Sequence, residues 1–147
     1  MKVSCPGLGT THVRALAALT ARRQELLHRD GFALHAILDQ AALLRPPAGS
    51  CVMAGQLSHL AGLAARPNIT LQVLPLTTAW PILSPPFTLL GFPGPGDPDT
   101  ACTVSHNGLN HLTRDDRHVQ ALCGTYAILS KAALPADTST LRRLLRR

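Results

Sequence analysis

His35 and Asp39 are the first residues whose type and spacing suggest chemistry in this chain. They lie in the segment FALHAILDQ, residues 32–40, which reads as a β-strand. Alternate side chains of a strand point to opposite faces. Phe32, Leu34, Ala36 and Leu38 then form an apolar face, while His35 and Asp39 share the other with Ala33 and Ile37. A histidine and a carboxylate are the groups an enzyme uses for proton transfer. Four residues along a strand span about 13 Å, so each needs a partner from a neighbouring strand or from a ligand. Two readings stand: an acid/base pair working on a substrate, or a half-exposed histidine beside an aspartate that caps the next turn.

A second cluster closes the run 101–107, where Ser105, His106 and Asn107 follow Cys102, with His111 nearby. Cys102 and His106 share a face, too far apart on a regular strand to hold one metal ion, and no closer Cys/His set meets zinc-site spacing. No metal or other cofactor is therefore expected. Nothing in the local sequence marks Cys102 as an activated nucleophile rather than a small buried residue. Trp80, the lone tryptophan, sits in the proline-stiffened stretch TTAWPILSPPF. There it could form the lid of an apolar pocket or plug the core at a sheet edge. No P-loop, G-x-G-x-x-G, G-x-S-x-G or HExxH pattern is present, so nucleotide and hydrolase chemistry have no positive support.

The elements that must position these residues alternate along the chain. Thr10 or Thr11 can cap a first helix reaching about His28, with Val13, Leu16, Leu19, Leu26 and Leu27 near helical spacing. After the strand 32–40, residues 41–44 form a short helical turn stopped by Pro46-Pro47. Ser50 can cap a second helix with the stripe Met53, Leu57, Leu60, Ala61 and Ala64, broken at Arg66-Pro67-Asn68. Strands are expected over 69–76, 87–92 and 101–107, the last two separated by the turn-forming run PGPGDP. Thr113 with Asp116 resembles a capping box. It leads a helix with Val119, Leu122, Cys123, Tyr126 and Leu129 or Ser130 on one side. A basic helix from Asp137 or Thr138 ends the chain. The order predicts an α+β fold: one small mixed sheet of about four strands with four to five helices packed against it.

Composition narrows the function classes. A chain of 147 residues fits one domain, and 46% hydrophobic residues with 3% aromatics imply an aliphatic core. The formal charge of +6 is concentrated at the end, in Arg142, Arg143, Arg146 and Arg147, where cations suit a helix C-terminus. No basic face interleaved with stacking groups is visible, so nucleic acid is not an expected partner. No signal-peptide h-region follows Lys2 and no run approaches a membrane span, which predicts a cytoplasmic protein. Cys5, Cys51, Cys102 and Cys123 lack CxxC spacing and read as reduced thiols.

Several short pieces, taken in order, resemble a known family. They are Pro6-Gly7-Leu8, Arg22-Arg23-Gln24, Leu38-Asp39-Gln40-Ala41-Ala42-Leu43, Gln56-Leu57-Ser58-His59-Leu60, NITLQVLPL, FTLLGF and the tail AILSKAALPADTSTLRRLL. Together they resemble the domain of unknown function that follows an Xre-type helix-turn-helix domain in actinobacterial transcription regulators. The resemblance implies an effector-binding domain, and this sequence starts where the linker after the helix-turn-helix would be. It departs from the family at Gln40, where the resemblance implies an acid after Asp39. It departs again near His12, in place of a tyrosine, and at 102–106, in place of a Tyr-x-Glu pattern. The implied pocket is less acidic and richer in histidine.

Two functions follow. One is a stand-alone small-molecule-binding sensor, with Gln40, Trp80, Cys102, Ser105 and Asn107 as ligand contacts. It could answer to a metabolite or to a small acidic partner protein, and it could form a homodimer. The other is a repurposed enzyme of specialised metabolism, a cyclase, isomerase or lyase, with His35, Asp39 and His106 moving protons.

Overall fold

The computed structural model describes residues 9–44, 50–78, 85–94, 96–104, 110–135, 137 and 139–140. The class is α+β, as the sequence predicts. Among the described residues the strands divide into two three-stranded sheets rather than one, the first built on a parallel pair and the second antiparallel throughout. The chain splits into two compact units, Met1–Leu76 with Ala133–Arg147, and Thr77–Ala132.

In the first unit, helix α1 (Thr10–Gln24) is capped by the Gly9 backbone, one residue earlier than expected and without a side-chain cap. A 3-10 turn, Glu25–His28, follows. Gly31 then adopts φ +77, a left-handed conformation that L side chains rarely take, and turns the chain into the first strand. Strand β1 (Leu34–Asp39) runs directly into helix α2 (Gln40–Leu44), and helix α3 (Ser50–Ala64) leads to strand β2 (Ile69–Leu74).

β1 and β2 pair in parallel, Leu34 opposite Ile69 through Asp39 opposite Leu74. A parallel pair needs a crossover, here α2 and α3. The register aligns Leu34, Ala36 and Leu38 with Ile69, Leu71 and Val73. These six residues form the apolar layer on which Leu43 and the α3 residues Leu57, Leu60 and Ala61 pack. Val73 at its centre has no solvent exposure. The alternation of Leu34, Ala36 and Leu38 thus corresponds to a real core face.

The turn Arg66-Pro67-Asn68 also fastens this unit. The Asn68 amide donates to the carbonyls of Leu27 and Phe32, and Arg66 Nη2 donates to His28 Nδ1 at 2.9 Å. These bonds hold the 3-10 turn, whose Leu27 packs on the core. The expected stripe of α1 ends there: Val13, Leu16 and Leu19 are exposed, and no α1 residue is buried. Periodicity set the stripe without supplying a surface to receive it.

In the second unit, β3 (Phe87–Leu90), β4 (Thr100–Val104) and β5 (Asn110–Thr113) form an antiparallel sheet. Helix α4 (Asp116–Ala132) packs Val119, Leu122 and Cys123 against Phe87, Leu89 and Ala101. The cap of α4 is Asp115, whose Oδ1 accepts the His118 N–H at 2.9 Å. Thr113 is instead drawn into β5 opposite Ala101, a strand the sequence reading did not contain. Strand β6 (Leu134–Pro135) follows α4 in sequence and pairs antiparallel with β2 in the first unit.

Candidate functional site

The face of β1 and β2 opposite the apolar layer carries His35, Ile37 and Asp39 from β1 and Thr70, Gln72 and Leu74 from β2. Their placement follows from the same alternation that buries the other face. His35, Asp39 and Thr70 are exposed, Gln72 is half-buried and Leu74 is buried. The face is therefore polar and open at its His35–Thr70 end, and along β2 it closes towards Leu74 while Asp39 on β1 stays exposed.

Gln72 Oε1 lies 2.6 Å from His35 Nε2. Gln72 Nε2 donates to the Ala133 carbonyl at 3.2 Å. A carbonyl can only accept, so the nitrogen of this amide must face Ala133 and its oxygen must face His35. The imidazole therefore carries a proton on Nε2, and in the neutral ring Nδ1 is the acceptor. One backbone carbonyl thus orients an amide, and the amide sets the histidine tautomer. This ordered chain joins β1, β2 and the residue just before β6.

Asp39 occupies the end of the same face, but its Oδ1 accepts the Ala41 N–H at 2.8 Å. This is the N-cap position of α2, where a carboxylate satisfies an amide left unpaired by the helix. Gln40, the first residue of α2, is buried at 6% exposure, and its Oε1 accepts the Leu76 N–H at 2.9 Å. That bond ties the start of α2 to the chain just beyond β2. Both residues at the junction of β1 and α2 therefore hold architecture, while His35 presents its ring on the open face.

Cys102 lies in the second unit, opposite Thr88 and Leu112, half-buried and free of any disulfide. His111 stands opposite Thr103, so it shares the face of Ala101 and points away from that of Cys102. The two do not form a Cys–His pair. Trp80, Ser105, His106 and Asn107 lie outside the described residues. Among the described residues, no three His, Cys, Asp or Glu side chains gather as a metal site would require, and no helix is long and apolar enough to cross a membrane.

The residue that sequence reasoning missed is Gln72. Its signal was present as the polar member of ITLQVL on the face shared with Thr70, but its pairing with His35 depends on strand register.

A family model described as "Domain of unknown function (DUF5753)" matches residues 1–147. No curated protein and no solved structure matches the chain.

Proposed function

We propose that this chain, which belongs to the DUF5753 family, binds a small polar molecule on the open face of β1 and β2. His35 is the principal contact in this reading. The observation that carries it is the hydrogen-bonded chain from Ala133 through Gln72 to His35. Holding an exposed imidazole in one tautomer restricts its rotamers, a cost that a ligand site recovers through preorganisation. Thr70, across from His35 on the parallel strand, adds a hydroxyl that can donate or accept.

Binding is preferred to proton-transfer catalysis because Asp39 already accepts the Ala41 N–H and so serves the helix. A ligand for this face would offer hydrogen-bonding groups spaced to meet His35 and Thr70, with an apolar edge over Ile37. The sensor role, a regulator ancestry and an origin in specialised metabolism belong to the same proposal.

The test is a thermal-shift screen of polar metabolites against the intact chain, repeated on His35→Ala and Thr70→Val. A ligand that binds the native state raises the midpoint with concentration. The reading expects at least one compound whose shift is lost in both variants. Compounds that shift all three proteins equally would place binding elsewhere and overturn it.

A further inference from the structure

Among the described residues, His28 and His35 both engage their rings in hydrogen bonds, and protonation acts on them in opposite ways. At His35 the ring donates from Nε2 to Gln72. The imidazolium keeps that N–H, so the bond survives protonation. At His28 the ring accepts, with Arg66 Nη2 2.9 Å from Nδ1. A guanidinium carries donors, no acceptor and a permanent charge, so Nδ1 must hold a lone pair. Protonating Nδ1 removes the acceptor and sets two cations face to face. The contact therefore exists only while His28 is neutral.

The charges around the ring act in the same direction. Arg22, Arg23 and Glu25 precede His28, Arg29 and Asp30 follow it, and Arg66 faces it from the turn Arg66-Pro67-Asn68. Among the described residues no hydrogen bond or ion pair joins Glu25 or Asp30 to the ring. A proton on His28 thus adds like charge to like charge, at an exposed site where water screens the repulsion without removing it.

What the contact holds is the root of α1. That helix buries no residue and contributes none to the core of its unit, so its direction is set at the 3-10 turn Glu25–His28. Two fastenings reach this turn from residues 66–68. The Asn68 amide on the Leu27 carbonyl does not titrate, and Arg66 on His28 does. With the second released, Leu27 stays packed on the core while the last residue of the turn comes free.

We propose that the His28–Arg66 contact is a proton-operated latch at the root of α1, which fixes the direction of the helix when closed and frees it when open. The closed form binds one proton fewer than the open form, so falling pH favours the open one. An imidazole changes charge between about pH 5 and 8, so the latch works near neutrality, well above the acidic interval of the Asp137 contact. It is independent of the ligand reading on the β1–β2 face.

The test is amide hydrogen exchange and residual dipolar couplings on the full chain at about pH 8 and about pH 5. The Arg29 N–H, which bonds the Leu26 carbonyl across the 3-10 turn, reads the latch. Corrected for intrinsic rates, its protection should fall roughly two- to tenfold at the lower pH, the range of one ordinary hydrogen bond. The couplings of α1 should fit one orientation relative to β1 and β2 at the higher pH and shrink at the lower. Amides of β2 should keep their protection at both, which separates local release from unfolding. His28→Gln offers an acceptor that does not titrate, so its Arg29 protection should be the same at both pH values. Arg66→Ala should hold the latch open at both, with the low protection of the acidified wild type. His35→Gln should keep the wild-type response. Equal Arg29 protection in the wild type at both pH values would overturn the proposal. So would α1 couplings unchanged by pH, a parallel loss of protection across β2, or a response that survives His28→Gln.

Discussion

Gln72 Oε1 accepts the Nε2–H of His35 at 2.6 Å, across 37 residues of sequence, while its own amide nitrogen is spent on the Ala133 carbonyl. The pair joins two parallel strands on the face away from the core and leaves the imidazole one neutral tautomer.

That tautomer is directly observable. Ring nitrogen NMR of His35 should show the proton on Nε2 in the neutral form. Gln72→Leu should return the ring to a mixture and lower stability by about 1 kcal/mol, the ordinary net value of a lost neutral hydrogen bond. A ring protonated on Nδ1 in the wild type would refute the relay.

Asp39 tests the division between site and scaffold. Asp39→Ala removes the acceptor for the Ala41 N–H and should cost about 1 kcal/mol in chemical denaturation, as an N-cap does. Asp39→Asn or Asp39→Ser should restore most of it. A carboxylate used in proton transfer would not be replaced by either, so loss of function with full stability in Asp39→Asn would show that Asp39 does more than cap α2.

Gln40 presents the opposite case, a buried side chain at a helix start. Gln40→Ala leaves the Leu76 N–H without its acceptor and should lower stability by about 1–3 kcal/mol. Gln40→Glu keeps an acceptor there and restores the acid implied by the family resemblance. Its melting temperature should fall less than that of Gln40→Ala. An equal or greater fall would show that burial of the charge outweighs the bond.

Asp137 gives the chain an acid-sensitive contact. The Thr140 N–H, with help from the Ser139 hydroxyl, holds its carboxyl below the ordinary carboxylate range. A pKa lowered on folding contributes stability that is present above the unfolded value and is lost as pH falls through the folded one. Exchange at the Thr140 amide, corrected for its intrinsic pH dependence, should lose protection over that acidic interval. Asp137→Asn should flatten the dependence. A Thr140 amide equally protected on both sides of the interval would remove Asp137 as the cause.

Much of this fold was legible because strand and helix periodicities are local. The alternation at 34–38 identified the core face of β1, and Leu57, Leu60 and Ala61 identified the packing side of α3. Val119 and Leu122 likewise marked the buried side of α4. Caps were less legible: Thr113 and Asp115 both suit a helix start, and the choice fell to Asp115 once Thr113 entered a ladder with Ala101. The stripe on α1 shows the same limit, since a 3.6-residue period creates an apolar row without revealing what covers it.

By itself, the sequence determined that His35 and Asp39 share the face of β1 opposite the apolar row, because side-chain alternation is a property of the extended backbone. Tertiary structure alone decided that His35 meets Gln72 while Asp39 turns to the Ala41 amide. The first contact depends on the register of two strands joined by a crossover, and the second on a helix beginning immediately at residue 40. Neither is a periodic property of the chain. Packing of Leu43 and α3 on the other side of the sheet sets that register, and so determines which partner each polar residue finds.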